Sequence, residues 1–337
     1  MSAGRAPRVG EFERIARLVE VLGGPGSVSE AAIGDDAVVV PQTDGRWVWT
    51  VDAHVEGTHF RFEWLDPVEI GHRALAAATS DLAAMAADPV GALVSVTVAR
   101  EEADRLEAVY TGMAELAERI GCPVLGGDLA RGQGGLHLVT TALGRCGSGP
   151  PVRRSGARPG DELWLTGELG GPAAALAWLS RETSALSRDD PARRRLANPA
   201  PRLKEAAWLA SRVPLSAAID LSDGLSGDAA HVARRSGVAL RIEPGVIPIH
   251  PGARRLAEVL GEDPLEWALH GGEEFELLVC AAPGGVDALA GPFAERFGLP
   301  LTRIGEVVEG EGVWVVGKGG RASPLEPRSF DHFAVRR

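Results

Sequence analysis

Acidic residues that follow glycines or end apolar runs are the groups in this chain with the clearest chemical potential. Carboxylates that a fold brings together repel one another unless a cation lies between them, so their convergence predicts a divalent metal site. Protein Mg²⁺ sites usually share the ion between one or two carboxylates and substrate phosphates. The pattern therefore indicates an Mg²⁺-dependent enzyme acting on a nucleotide. The segments are Gly34-Asp35-Asp36, Thr50-Val51-Asp52, Ser80-Asp81, Gly126-Gly127-Asp128 and Asp220-Leu221-Ser222-Asp223-Gly224.

Most of these segments also have an ordinary structural interpretation when taken singly. Gly34-Asp35-Asp36 fits a simple turn, because Gly-Asp is common turn chemistry. Asp81 fits the exposed stripe of a helix, although its polar neighbours Thr79 and Ser80 point in other directions and leave no clean polar face. Asp128 follows two glycines, whose N–H groups can approach a phosphate closely. We therefore favour a buried metal site that includes Asp81.

Asp220 to Gly224 is the strongest single segment. A short apolar strand delivers Asp220, and Ser222 or Asp223 is placed to cap the helix that follows. A plain helix cap is the alternative to a site where the helix N-terminus and the acids together hold metal and phosphate.

Three further features are open to more than one interpretation. Gly271-Gly272-Glu273 fits a solvated loop or a ligand contact, and a lone histidine such as His59 usually lies in the core or on the surface. Arg154 lies in a Gly-, Pro- and Arg-rich segment and fits either a surface side chain or a bidentate phosphate ligand.

Composition narrows the class of protein. The chain has 337 residues and a formal net charge of −11, with no basic stripe, which argues against a nucleic-acid partner. Its only two lysines, Lys204 and Lys318, lie outside any GxxxxGK[ST] frame, which excludes a P-loop. Three separated cysteines and the lack of an apolar run of membrane-spanning length predict a cytoplasmic protein without a membrane partner.

Periodicity and turn residues predict a mixed α/β chain of two domains, 1–148 and 149–337, joined near the Gly- and Pro-rich stretch 147–159. Asp66-Pro67 predicts the start of a long helix that ends before Pro89. The range 181–195 is polar and predicts a surface segment. The other expected elements are a helix at 12–22, a hairpin of 38–40 with 47–51, a turn at 126–128, helices at 101–120, 172–179, 201–212 and up to 235, and strands at 92–98, 136–144, 163–166, 217–219, 239–242, 276–279 and 312–316.

Taken in order, the segments resemble the thiamine-monophosphate kinase family, within the aminoimidazole ribonucleotide synthetase-like superfamily. The similarity covers about residues 10 to 333. Its motifs are Ile33 to Ala37, Val51-Asp52 with Val55 to Phe60, Ser80 to Met85 with Asp88-Pro89, Gly126-Gly127-Asp128, Arg154 to Ala157, Ile219 to Leu225, Gly271 to Leu277 and Asp331-His332-Phe333.

The resemblance implies two α/β domains of mixed sheets, a homodimer whose N-terminal sheets pair into a shared barrel, and phosphorylation of thiamine monophosphate by ATP. It implies that several Mg²⁺ ions are held by Asp36, Thr50, Asp52, Asp81, Asp128, Asp220 and Asp223. ATP contacts fall to Tyr110, Gly127, Asp128, Arg154 and Ser222. Substrate contacts fall to His59, Glu273 and Phe330. No covalent nucleophile is implied, because a phosphate oxygen is already largely deprotonated near neutral pH.

The chain departs from the family's usual pattern at a few positions. Val51 stands where Ser or Thr is common, Ala78 stands where Asn is common, and Glu274-Phe275 replaces Asp-Tyr. Two alternatives to a kinase stay open. One is an aminoimidazole ribonucleotide synthetase-like ligase, and the other is a nucleotide-binding protein without turnover, for which Val51 and Glu274 are the only signs. The first cysteine, Cys122, lies too late for a selenophosphate synthetase, and the C-terminus lacks the cysteine of the hydrogenase-maturation dehydratase.

Overall fold

The computed structural model of the protein describes residues 37–42, 45–147, 149–181, 186–317, 319–328 and 330. Two sheets organise this part of the chain, one of five strands and one of seven. The expected helix at 12–22, the pair Asp35-Asp36 and the motif Asp331-His332-Phe333 lie outside the described residues.

The five-stranded sheet, here the N-terminal sheet, consists of β1 (Val38–Gln42), β2 (Gly45–Val55), β3 (Asp88–Val98), β4 (Val124–Arg131) and β5 (Leu136–Cys146). Its order is β1-β2-β5-β3-β4. The predicted hairpin is confirmed, since β1 and β2 pair antiparallel. β3 and β4 pair in parallel, so the range 126–128 lies inside an edge strand and the expected turn there is wrong. An added Cβ at Gly127 would lie 1.8 Å from the carbonyl oxygen of Val94, so glycine permits this strand pairing.

Helix α1 (Pro67–Ala84) is the central element of the molecule. It begins as predicted at Asp66-Pro67, where the Asp66 N–H donates to Glu69 Oε2 at 2.8 Å. Almost all of its residues from Ile70 onward are buried, and Asp81 is the exception. α1 packs against α2 (Leu106–Ile120). A 3₁₀ turn at Arg100–Arg105 precedes α2, whereas one continuous helix was expected over 101–120.

The seven-stranded sheet, here the C-terminal sheet, has the order β12-β11-β8-β10-β6-β9-β7. Its pairs are antiparallel except β11 with β8. The strands are β6 (Glu162–Thr166), β7 (Leu215–Asp220), β8 (Ala239–Ile242), β9 (Leu277–Ala281), β10 (Leu301–Val308), β11 (Gly312–Val316) and β12 (Ala322–Pro324).

Seven α-helices accompany this sheet among the described residues. They are α3 (Gly171–Leu179), α4 (Pro191–Ala197), α5 (Leu203–Ala210), α6 (Leu225–Ser236), α7 (Pro251–Leu260), α8 (Pro264–His270) and α9 (Asp287–Phe297). Four of them, α4 and α7 to α9, were not predicted.

Two local predictions in this half are wrong. The N-cap of α6 is Gly224, so neither Ser222 nor Asp223 occupies the cap position. Instead Asp228, in the first turn of α6, accepts the N–H of Asp223 at 3.1 Å. The range 181–195 is not simply a surface segment either, because Arg193 is buried against Glu69 of α1.

α1 joins the two sheets through a shared core. Ala78 and Leu82 of α1 lie in one buried cluster with Val48 of β2 and Val279 of β9. Burial of apolar area on both sides of one helix fixes that helix relative to both sheets. None of the described helices combines the length and apolar character needed to cross a membrane.

Candidate functional site

The C-terminal end of α1 brings polar groups from the two sheets together. Thr50 on β2 donates its hydroxyl to Asp81 Oδ2. The preceding residue, Ser80, is fully buried and donates to Asp220 Oδ2 of β7 at 2.6 Å. Adjacent helical residues point about 100° apart, so α1 presents Asp81 to one sheet and Ser80 to the other. The predicted metal ligands Thr50, Asp81 and Asp220 therefore meet at one junction.

A second group of acids surrounds the loop after β7. Asp228 is buried, and its pKa is raised well above the ordinary value. Burial is the largest cause, and the charges of Asp223 and Asp220 add to it, while Arg154 acts in the opposite direction. The predicted ligands Asp220 and Asp223 and the predicted ATP contact Arg154 are thus electrostatic neighbours.

Asp228 was missed by sequence reasoning. The available signal was a carboxylate in the first turn of the helix after Asp223-Gly224, where its side chain can reach back to the loop N–H groups.

The donor set of this junction fits magnesium. Its side-chain oxygens are carboxylates and hydroxyls, the hard ligands that Mg²⁺ prefers, and the charges of Asp223 and Asp220 contribute, after burial, to the raised pKa of Asp228. In the part of the chain that the structure describes, no three His, Cys, Asp or Glu side chains form a group that could hold a metal by themselves. The arrangement therefore fits an ion that takes one or two carboxylates and completes its shell with water or phosphate.

Asp52 lies two residues beyond Thr50 on β2, on the same face of the sheet. Its Oδ1 is 3.7 Å from His54 Nδ1. Its charge also acts on Arg73 of α1: burial lowers the pKa of Arg73 to about 10, and Glu69 and Asp52 oppose that change. Sequence reasoning missed Arg73, which lies between the charge of the predicted ligand Asp52 and its own ion-pair partner, Glu273.

The Gly-Gly-Glu segment (Gly271-Gly272-Glu273) packs against the acidic loop. The N–H of Glu273 donates to the carbonyl of Ser222 at 2.7 Å. Glu273 has a φ of 70°, a left-handed conformation that costs a non-glycine residue energy and is often found at functional sites. Its carboxylate is ion-paired with Arg73. Ser222 and Glu273, predicted contacts of two different ligands, are therefore neighbours.

The residues just after Glu273 anchor this segment in the core. Glu274 is buried, accepts the N–H of Gly170, and has a pKa raised to about 8, chiefly by burial. Glu276 accepts bonds from Arg202 Nε at 2.8 Å and from Thr166 Oγ1 at 2.7 Å, and it pairs with Arg195. Burial alone raises the pKa of Glu276, but Arg202 and Arg195 outweigh it and the net change is downward.

His59 follows β2 in a tight turn. Its Nδ1 accepts the N–H of Val55 at 3.0 Å, so a neutral His59 carries its proton on Nε2. The His59 ring stacks on His54, with centroids 5.3 Å apart. The turn and the stacked ring together fix the direction of the Nε2–H donor.

A groove between α2 and β4 holds the remaining N-terminal predictions. Its volume is about 960 Å³, and Tyr110, Gly127 and Asp128 line it with apolar residues such as Ala114 and Leu129. One row of paired residues crosses the sheet. Asp52 of β2 pairs with Thr140 of β5, Thr140 pairs with Val94 of β3, and Val94 pairs with Gly127 of β4. Asp128 therefore lies in the groove at the far edge of the sheet from Asp52.

Phe330 is the last described residue and is partly exposed. Two residues earlier, Arg328 donates to His270 Nε2 at 2.6 Å. His270 immediately precedes Gly271, so Arg328 is held beside the start of the Gly-Gly-Glu segment. The predicted substrate residues thus come from three separate parts of the chain.

Comparison with known proteins identifies two matching family domains. "AIR synthase related protein, N-terminal domain" matches residues 34–146, and "AIR synthase related protein, C-terminal domain" matches residues 158–318. The division of the chain between residues 148 and 149 stays a prediction.

Individual relatives match most of the chain. A thiamine-monophosphate kinase of Rhodopirellula baltica is 35% identical over 89% of this chain and 90% of its own length. A thiamine-monophosphate kinase of Mycobacterium tuberculosis is 37% identical over 81% of each chain. A solved structure of AaThiL complexed with AMPPCP and TMP has a TM-score of 0.83 and 30% identity, and covers 99% of this chain and 100% of that one.

Proposed function

Because the chain belongs to the thiamine-monophosphate kinase family, we propose that it transfers the γ-phosphoryl group of ATP to thiamine monophosphate. The products are ADP and thiamine diphosphate. The observation that carries this proposal is the meeting of Thr50, Asp81, Ser80 and Asp220 at the end of α1. The solved relative that binds AMPPCP, an ATP analogue, together with TMP supports the same pair of substrates.

The nucleotide occupies the groove between α2 and β4 in this proposal. Its apolar walls suit a nucleobase, and Tyr110 offers an aromatic ring beside them. Gly127 and Asp128 lie on the strand that forms one wall, and Arg154 and Ser222 receive the phosphates on the C-terminal side.

Metal ligation is assigned to Asp36, which lies outside the described residues, and to Thr50, Asp52, Asp81, Asp128, Asp220 and Asp223. Bound Mg²⁺ would neutralise negative charge on the two phosphorylated substrates and the charge that develops during transfer. Asp81 and Asp220 hold their carboxylates in place through the hydroxyls of Thr50 and Ser80. His59, Glu273 and Phe330 bind the thiamine substrate.

The reaction is an in-line displacement. A terminal oxygen of the thiamine phosphate forms a bond to the γ-phosphorus as the bond from that phosphorus to the β–γ bridging oxygen breaks, and ADP leaves. No side chain needs to remove a proton, because the attacking phosphate oxygen is already ionised near neutral pH. The chain's own contribution is therefore positioning and charge balance.

We expect the purified protein to convert ATP and thiamine monophosphate to equal amounts of ADP and thiamine diphosphate when Mg²⁺ is present. Product separation by chromatography measures this, and omission of the acceptor or addition of a chelator is the control. Nucleotide binding without ADP release would support a binding protein instead. ADP release that depends on purine intermediates and not on thiamine monophosphate would support the ligase alternative.

We propose a homodimer, and the open face of the N-terminal sheet supports it. Trp49, Val51, Leu93 and Val139 are 37–62% exposed there, and Val51 and Leu93 stand opposite the same residue, Thr141, of the intervening strand. A continuous apolar face of this kind indicates a partner surface. The occupant proposed here is the same face of a second copy, so that two sheets close into a barrel.

Val51→Asp is expected to convert the dimer into a monomer, because it places a carboxylate in the middle of that apolar face. Light scattering after size-exclusion chromatography measures the mass. The matched control is Val259→Asp on α7, since Val259 is 61% exposed and Val51 is 62% exposed. If the Val51→Asp variant still has the mass of a dimer, the interface does not include this face.

A further inference from the structure

Arg73 is the largest fully buried side chain among the described residues. It lies on α1, two turns before Ser80 and Asp81, and its guanidinium reaches the C-terminal half of the chain. There it donates to the carbonyl of Leu196 and pairs with the carboxylate of Glu273. A buried cation at this point needs a reason, because burial of an arginine is costly unless it is paired.

The surroundings of Arg73 are negative on the side of the site. Asp52 and Glu69 both favour its charged form, and Glu273 is its direct partner. Glu273 keeps part of its side chain exposed, about 24%, whereas Arg73 is buried. The Glu273 end of this ion pair therefore faces solvent, whereas the Arg73 end is held in the core.

The backbone of Glu273 adds a second constraint. Its left-handed φ of 70° and its N–H bond to Ser222 fix the direction in which the side chain leaves the chain. An added Cβ at the preceding Gly272 would lie 2.4 Å from the Ser222 carbonyl oxygen, so the segment has little freedom to shift. Arg73 then determines the position of the carboxylate itself.

The position of the Glu273 carboxylate matters because the phosphoryl acceptor, thiamine monophosphate, is itself an anion. An unpaired Glu273 carboxylate would repel a phosphorylated acceptor, and Asp52 would add to that repulsion. Arg73 compensates the charge of Glu273 and leaves a carboxylate oxygen exposed as a hydrogen-bond acceptor for a donor group on the substrate.

We propose that Arg73 is a positioning residue for the thiamine monophosphate site: it fixes and neutralises Glu273 from the core of α1 and so determines affinity for the acceptor but not for ATP. This inference deepens the proposed function and rests on it. The buried guanidinium makes no part of the phosphoryl transfer itself.

The chain provides a matched control pair. Arg193 of α4 is also buried, and it binds Glu69, one helical turn before Arg73, through two bonds of 2.9 and 2.8 Å. Both arginines therefore tie α1 to the C-terminal half. Their direct partners differ, because Arg73 pairs with Glu273, whereas Arg193 pairs with Glu69, which also accepts the Asp66 N–H at the N-terminus of α1.

We expect Arg73→Met to raise the KM for thiamine monophosphate by about ten- to hundredfold and to change the KM for ATP less than about twofold. Arg73→Lys keeps the charge without the planar fork and should give an intermediate KM. Arg193→Met should lower thermal stability without this split in KM. Equal changes in the two KM values, or the same split in Arg193→Met, would overturn the proposal.

A double-mutant cycle and two crystal structures complete the test. Glu273→Gln should have a smaller effect in the Arg73→Met background than in the wild type, because the ion pair that this substitution breaks is already lost. Crystal structures of Arg73→Met and Arg193→Met should show the Glu273 carboxylate displaced only in the first. An undisplaced Glu273 overturns the positioning role even if the wild type proves inactive as a kinase, whereas inactivity of the wild type alone contradicts the proposed function.

Discussion

Asp81→Asn is expected to lower the turnover number by about 10²–10³-fold with little effect on folding. The side chain stands at the one position of the α1 C-terminal half that is not buried, and it accepts the Thr50 hydroxyl. Asparagine keeps an oxygen for that bond and nearly the same shape, but it removes the negative charge that a divalent ion requires. The loss should therefore fall on turnover and on the Mg²⁺ concentration needed for half-maximal rate.

Asp104→Asn is the matched control. Asp104 is exposed in the 3₁₀ turn before α2, so the same chemical change there should leave both turnover and Mg²⁺ dependence unaltered. Steady-state rates over a range of Mg²⁺ concentrations, with circular dichroism to confirm folding, make the comparison. Normal turnover in folded Asp81→Asn would remove Asp81 from the metal site.

Glu276→Gln is expected to lower the free energy of unfolding by about 3–5 kcal/mol. The carboxylate is 1% exposed and stands between Arg202 and Arg195, with Thr166 as a further donor. Glutamine removes the charge that both guanidinium groups share and leaves Arg202 with Glu205 at 3.6 Å and Arg195 with Glu274 at 3.9 Å as their carboxylate partners. Thr166 Oγ1 also accepts the N–H of Leu277, so the start of β9 should loosen as well.

Urea unfolding at several pH values measures this loss. The pKa of Glu276 in the folded protein lies below its ordinary value, so its contribution is present at neutral pH and disappears as pH falls from the ordinary Glu range toward the lower folded pKa. The difference between wild type and Glu276→Gln should therefore shrink in acid. Glu295→Gln on the exposed face of α9 is the control, and a similar loss there would show that burial and pairing of Glu276 do not matter.

The sequence was sufficient for elements whose signals are local. Asp66-Pro67 predicts the start of α1, and the polar gap between two β-rich runs predicts the β1–β2 hairpin; the structure confirms both. The apolar strand that ends at Asp220 is likewise present. In each case the deciding interaction lies within a few residues of the signal.

Contacts between distant parts of the chain were beyond reach. Ser80 and Asp220 are separated by 140 residues, and only packing of α1 against β7 brings them together. The partners Arg73 with Glu273 and Arg202 with Glu276 depend on the same packing. An arginine in a sequence gives no sign of whether it will be buried, because its burial depends on a carboxylate elsewhere in the chain.

The wrong local predictions have a physical cause too. Gly126-Gly127 carries the composition of a turn, yet parallel pairing with β3 leaves no space for a side chain at Gly127, so glycine there serves a strand. Ser222 and Asp223 have the residue types of helix caps, but Gly224 occupies the cap position and Asp228 binds the loop from inside α6. Tertiary contacts overrode residue preference in both places.

Ser80 and Asp81 are consecutive, yet each is bonded to a different sheet. A ligand that contacts both Asp81 and Asp220 therefore touches elements of both sheets at once. Its affinity depends on the relative position of those sheets, so a substitution that shifts one sheet against the other should weaken the ligand without touching a carboxylate.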